Sequence, residues 1–331
     1  MARLPRILAR QGQWLLVLMA LLVVLRISDR YVREAWSGPG PLAQTTDVVV
    51  PEGDTRTVGA ALKKADVIGG VFTFRIAEYL TRAQGPLHAG EFRFPAHGSL
   101  RDTFRILRHA RPVEHHLTIP EGLTAKQIQG LINAAPSMTG HVVLAREGAI
   151  LPNTYDYLYG AKRGTLLDRA ERALSATMAK LWPDRAPGLP LASPAEAIIL
   201  ASIVERETAK PEERPMVAAV YLNRLAQGMK LQADPTVIYG LSHGMGSLPH
   251  PLDHADLLIP NPYNTYLHAG LPPGPISAPG IASIAAVLHP AKTDALYFVA
   301  DGNGGHVFSV NYQGQEKNVA KLRALDTARL K

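Results

Sequence analysis

The chain has 331 residues, is 47% hydrophobic, and carries 35 Lys and Arg against 28 Asp and Glu, a formal net charge of +7. That length leaves room for two domains with real apolar cores. Cysteine is absent, which excludes disulfides, thiolate metal sites and cysteine nucleophiles while permitting an oxidising compartment.

Much of the positive charge sits at the start. Residues 1–34 hold Arg3, Arg6, Arg10, Arg26, Arg30 and Arg33 against Asp29 and Glu34, a balance of +4 that leaves only +3 for the rest. The folded part shows no dense basic stripe, so nucleic acid is not an expected partner. After a basic tail at 1–12, Trp14 to Leu25 is an unbroken apolar run closed by Arg26. Extended through Gln13 and Ile27, with Arg10 and Arg26 snorkelling outward, it approaches the roughly 20 residues of a spanning helix. A cleaved signal peptide is the rival, but no Ala-x-Ala site follows. The expectation is a transmembrane anchor at 13–27 with a cytoplasmic N-terminus, followed by a Gly/Pro-rich linker at 28–46.

Beyond the linker one local pattern recurs. Val48-Val-Val-Pro-Glu-Gly-Asp-Thr55 precedes a helical run from Val58 to Lys64, and Leu117-Thr-Ile-Pro-Glu-Gly-Leu-Thr124 precedes another from Ala125 to Asn133. A looser copy, Glu91 to Ser99 before Leu100 to Arg108, lies between them. Each reads as a short strand, a turn, a hydroxyl N-cap and an amphipathic helix. Together they suggest a small α+β domain at 47–145, with a larger mixed α+β domain at 146–331. In the larger one, Tyr155 and Tyr157 are candidates to line a cleft, and Leu166 to Leu181 reads as an amphipathic helix.

Ser193-Pro194-Ala195-Glu196 is a helix start: an N-cap serine, a proline at the first helical position and a glutamate at N3. The helix after it, to about Thr208, is apolar almost all round and so should be buried. Its period puts Ile198, Ala201 and Glu205 on one face and Glu207 on the opposite side. A carboxyl on the apolar side of a buried helix loses hydration, and its pKa rises toward the range of a general acid. For the same side chain the plain alternative is an ion pair with Arg206, Arg214 or Arg224. A second helix from Glu213 carries a stripe of Val217, Val220, Tyr221 and Arg224 and ends at Gly228, where a left-handed residue fits.

The stretch from His243 to Asp256 holds three histidines and two aspartates. His250-x3-His254 would suit zinc only on a helix, and Pro249 and Pro251 forbid one, so no metal site is assigned. Asn261 to Tyr266 and Gly270 to Ser277 are rigid loops whose amides and aromatic faces suit sugars. Ala282 to Leu288 is a helix, 296–300 and 306–310 form a hairpin across Asp301 to Gly305, and Lys317 onward is a charged helix. No phosphate-loop or dinucleotide spacing occurs, so no cofactor is expected.

Several of these segments recur in order in one family. Ala201-Ser-Ile-Val-Glu-Arg-Glu-Thr208, Val220-Tyr-Leu-Asn-Arg-Leu225, Leu231-Gln-Ala-Asp-Pro-Thr-Val-Ile-Tyr-Gly240, Asn264-Thr-Tyr266, Gly270-Leu-Pro-Pro-Gly274, Tyr297-Phe-Val-Ala-Asp-Gly302 and Gly304-Gly-His306 closely resemble the membrane-bound endolytic murein transglycosylases (MltG, or YceG-like). The likeness departs at Ala149 and Asn153. It implies an α+β chain with an N-terminal transmembrane helix, a small LysM-like subdomain and a larger catalytic domain. It further implies an inner-membrane enzyme facing the periplasm, acting on nascent peptidoglycan strands beside glycan synthases.

Lytic transglycosylation cuts a glycosidic bond with the sugar's own C6 hydroxyl as nucleophile, so one carboxyl can act first as acid and then as base. On that reading Glu205 is the catalytic group, with Gln232, Asp234, Asn264 and Tyr266 holding the sugar. A hydrolase using a second carboxylate, Asp234 or Glu207, is the nearest alternative, and a tethered wall-binding protein the next.

Overall fold

The structure, a computed structural model, describes residues 4–144 and 146–329, without the side chains of 4–15, 326, 328 and 329. The expected basic tail and the first residues of the expected anchor thus lie outside the described side chains. The chain is α+β and divides into two compact units, Met1–His115 and His116–Lys331.

In the first unit, α1 (Leu4–Ser37) is followed by β1 (Thr46–Val50), α2 (Thr55–Lys64), α3 (Val71–Thr81), β2 (Gly90–Phe94) and α4 (Leu100–His109). The strands pair antiparallel with Val48 opposite Phe92. Alternation sends Val48, Val50, Phe92 and Phe94 inward, against Leu62, Phe74, Phe104 and Leu107. Asp54, one residue before the expected threonine, caps α2 by accepting from the Thr57 N–H. Ser99 and Asp102 form a full capping box on α4.

Leu16 to Leu25 and Ile27 of α1 are exposed. The expected spanning helix at 13–27 is nevertheless not met: among the described residues no helix is long and apolar enough to cross a membrane. The apolar run is closed by Arg26, after which α1 carries Asp29, Arg30, Arg33 and Glu34.

The second unit begins at His116, within β3 (Glu114–Thr118), continues through α5 (Ala125–Ala134) and β4 (Thr154–Leu158), and pairs β3 with β4. Sequence pattern groups this third strand-turn-helix copy with the first two, whereas here its helix belongs to the second unit. The reason is packing: Ile128 and Ile132 of α5 share one apolar cluster with Tyr155, Leu166 and Ala170. Then come α6 (Arg163–Leu181), α7 (Pro194–Glu207), α8 (Arg214–Ala226), α9 (Asp234–Leu241) and α10 (Ile281–Leu288). The hairpin β5 (Tyr297–Ala300) and β6 (His306–Ser309) and a final helix α11 (Tyr312–Arg329) complete the chain.

Helix α7 is the centre of this unit. Ser193 caps it by accepting from the Glu196 N–H, with Pro194 at the first position. The Glu196 carboxylate reaches one residue further back than a capping box requires, to the Ala192 N–H at 2.7 Å. Leu200, Ala201, Ile203 and Val204 are fully enclosed, packed against Val217 and Ala218 of α8 and Ile284 and Val287 of α10. At the end of α8, Gly228 takes the expected left-handed conformation at φ +67°.

Candidate active site

The C-terminal end of α7 opens onto a cavity of about 250 Å³. Glu207, the last residue of α7, lines it with Tyr221 and Arg224 of α8, Gln232, Asp234, Tyr266, and Phe298 and His306 of the hairpin. The Oε2 atom of Glu207 is buried and carries no hydrogen-bond partner among the described residues. Burial, and then the negative charge of Asp234, push the Glu207 carboxyl up to about 7, although the Tyr221 hydroxyl and Arg224 pull the other way. A carboxyl raised into that range can both give and take a proton near neutral pH, which is what acid–base catalysis by a single group requires.

The walls are built by side chains that brace loops. Arg224 donates from Nε to the Leu296 carbonyl at 2.7 Å and from Nη1 to the Leu231 carbonyl at 2.7 Å and Gln232 Oε1 at 3.2 Å. It therefore ties the loop before α9 to the start of β5. Gln232 sits at φ +52°, a left-handed conformation uncommon for a residue with a Cβ. Its N–H donates to the Thr265 carbonyl at 3.1 Å. Asp234 opens α9 ahead of Pro235, and its Oδ1 accepts from the Tyr266 hydroxyl at 2.5 Å. Burial and that bond raise the Tyr266 phenol, which stays neutral.

The expected site residues separate into groups. Gln232, Asp234 and Tyr266 line the cavity together. Asn264 does not: it is fully buried, donating to the carbonyls of Leu257 and Ile259 at 3.0 Å and accepting from the Tyr266 N–H at 2.9 Å. It is a loop builder, with no free amide to offer a sugar. Glu205 is also elsewhere. Its side chain is 5% exposed, with Oε1 accepting from Arg214 Nη2 and Oε2 from the Gly280 N–H, both at 2.9 Å. Of the alternatives the sequence leaves open, this is the ion pair. Arg214 Nη2 also lies 3.7 Å from Glu121, whose carboxyl is raised by burial and by the Glu205 charge.

Sequence reasoning reaches Glu207 only as the second carboxylate of the alternative hydrolase. Positions two apart on a helix point to nearly opposite sides, so a residue two along from Glu205 is assigned to the less apolar face. Yet α7 is enclosed on nearly every side, and a carboxyl leaving it in either direction loses water. Tyr155 and Tyr157 do not line a cleft. Both are buried in the cluster around α5, with the Tyr155 hydroxyl donating to the Leu151 carbonyl at 2.5 Å. In the loop from 243 to 256, His250, Asp253 and Asp256 come within 4.8 Å of one another. The two aspartates there accept each other's backbone N–H groups at 3.0 and 2.9 Å, which makes a capped turn.

Residues 48–321 match the YceG-like family. The chain belongs to that family. Among curated relatives, an endolytic murein transglycosylase of Streptococcus pneumoniae is 28% identical over 323 residues, covering 83% of this chain and 58% of that protein. The protein of the same name from Bacillus subtilis is 42% identical over 130 residues, covering 39% of this chain and 34% of the relative. The crystal structure of a YceG-like protein from Listeria monocytogenes aligns with a TM-score of 0.51 at 27% identity, covering 83% of this YceG-like chain and 99% of that one. This chain thus spans little more than half the length of the pneumococcal relative.

Proposed function

We propose that the chain is an endolytic lytic transglycosylase. It cleaves the β-1,4 bond between N-acetylmuramic acid and N-acetylglucosamine inside peptidoglycan strands and leaves 1,6-anhydro ends. Support comes from the relatives named for murein transglycosylation and above all from one observation: a carboxyl whose buried Oε2 has no partner among the described residues faces a polar cavity, where burial raises it above its ordinary range. Glu207, rather than Glu205, is then the acid and base. Protonated, it delivers its proton to the leaving glycosidic oxygen as the C1–O bond breaks. As a carboxylate, it takes the proton of the C6 hydroxyl while O6 bonds to C1, so no water enters and the carboxyl ends as it began. Gln232, Asp234 and Tyr266 present an amide, a carboxylate and a hydroxyl to the sugar.

A hydrolytic variant is the second reading, favoured by one feature: Asp234 lines the same cavity as Glu207 and supplies the second carboxylate that hydrolysis uses. Mass spectrometry of fragments released from purified peptidoglycan separates the two. Anhydro ends support transglycosylation; fragments heavier by one water overturn it in favour of hydrolysis.

The exposed apolar side chains of α1 from Leu16 to Ile27 support attachment of this helix to the periplasmic face of the inner membrane, with the catalytic unit in the periplasm. The repeated strand-turn-helix pattern in the first unit supports the LysM-like reading, and synthases of the same glycan are the expected neighbours. Flotation of the full chain with vesicles, lost on charge substitution of Leu21 and Val24, tests the attachment.

A further inference from the structure

His306, the first residue of β6, lines the same cavity as Glu207. Its Nδ1 lies 2.7 Å from Glu213 Oε2, while its backbone N–H donates to Glu213 Oε1 at 3.0 Å. One carboxylate therefore grips both the ring and the chain of this residue. Glu213 is itself fixed, accepting from the Thr208 hydroxyl at 3.1 Å, and Thr208 directly follows Glu207. Burial works against the Glu213 charge, but the hydrogen bonds from His306 and Thr208 outweigh it and hold the carboxyl below its ordinary range. An ionised Glu213 can only accept, so the proton of the shared bond sits on Nδ1. The Phe298 ring, edge-on at a centroid distance of 5.3 Å, limits how the imidazole can turn.

We propose that His306 is a second substrate-contacting group of this site and that Glu213 is its positioning residue. With Nδ1 committed to Glu213, Nε2 is the nitrogen left for a ligand, and in the neutral ring it is a hydrogen-bond acceptor. Its partner is a donor of the glycan, a hydroxyl or the N–H of an acetamido group, held so that the scissile oxygen meets Glu207. The pattern is that of a ligand histidine whose tautomer is set by a carboxylate behind it. This assignment rests on the transglycosylase reading for the identity of the ligand. The dyad itself stands on geometry.

The test compares His306→Gln, His306→Phe and Glu213→Gln in the full chain, assayed on peptidoglycan strands beside Glu207→Gln, with thermal melting as the control for folding. The glutamine variant of His306 keeps an acceptor near the position of Nε2, whereas the phenylalanine variant keeps only the packing against Phe298. The expected order is loss of about tenfold or more for the phenylalanine variant, the scale of one buried hydrogen bond, and partial retention with glutamine. Glu213→Gln should lower turnover by a similar factor and change the ring ¹⁵N shifts of selectively labelled His306, because the fixed Nδ1–H tautomer is released. Wild-type turnover in the folded phenylalanine variant, with Glu207→Gln inactive, overturns the role of His306 alone. Wild-type turnover with Glu207→Gln overturns the reading of the site. Unchanged ring shifts in Glu213→Gln overturn the positioning role.

Discussion

Replacing Arg214 with methionine isolates what the ion pair of Glu205 does. The Arg214 side chain is 10% exposed and that of Glu205 5%, and their polar atoms are 2.9 Å apart. Methionine fills much of the arginine's volume but leaves a buried carboxylate with only the Gly280 N–H, and with Glu121 now facing it without a cation between them. Breaking a buried pair from one side costs about 3–5 kcal/mol. The lower end, about 3 kcal/mol, applies because Glu121 is 45% exposed and free to swing away. In a domain of this size each kcal/mol moves the melting temperature by roughly 2–4 °C, so melting at pH 7 should fall by roughly 6–12 °C. Adding Glu205→Leu should recover most of the loss, since an apolar pair replaces a buried ion pair at little or no cost. Circular dichroism melts of the three chains decide it. A shift below about 2 °C in Arg214→Met, or a double variant no better than the single, would refute a structural role for Glu205.

Glu207 gives a pH-dependent prediction. Its folded value of about 7 is raised from an ordinary 4.5, so the stability tied to its proton is complete below the ordinary value and is lost as pH rises through about 7. The shift is worth about 3 kcal/mol. Glu207→Gln, which cannot ionise, should therefore be more stable than the wild type at pH 8 by up to that amount and nearly equal to it at pH 4, as read by urea denaturation. The rate of strand cleavage should likewise fall above pH 7 as the acid form is titrated away. Gly148→Ala should destabilise the second unit by about 1–3 kcal/mol, because a Cβ there would sit 2.7 Å from Pro275 Cβ on a residue at φ +61°. Ser99→Ala should cost about 1 kcal/mol by removing the α4 cap. Both are read from denaturation midpoints.

What the sequence made legible was local. Ser193 and Pro194, Ser99, Thr124 and Gly228 announce helix ends because each interaction spans only a few residues. The hairpin at 297–309 follows from two apolar runs about a glycine-rich turn. Three cavity residues, Gln232, Asp234 and Tyr266, are legible through family motifs. The acid proposed above is legible only as an alternative carboxylate. Choosing between Glu205 and Glu207 depends on which side of α7 meets Arg214 and which meets the hairpin, and those partners arrive from 9 and about 100 residues away. The periodicity of one helix carries no record of them. Helix α9 is not among the expected elements, although Pro235 sits in its first turn, where proline is tolerated. Asn264 looks like a sugar ligand by type, and only the carbonyls of Leu257 and Ile259 show that its amide is already used.

The most direct measurement is the rate of internal cleavage of purified glycan strands by Glu207→Gln and Glu205→Gln, each shown to be folded, beside the unaltered chain. Glu207→Gln should release no anhydro-ended fragments, while Glu205→Gln, losing only part of a structural pair, should keep a measurable rate. Cleavage by Glu207→Gln at the wild-type rate, with Glu205→Gln silent, would contradict the account and return the acid to the ion-paired residue.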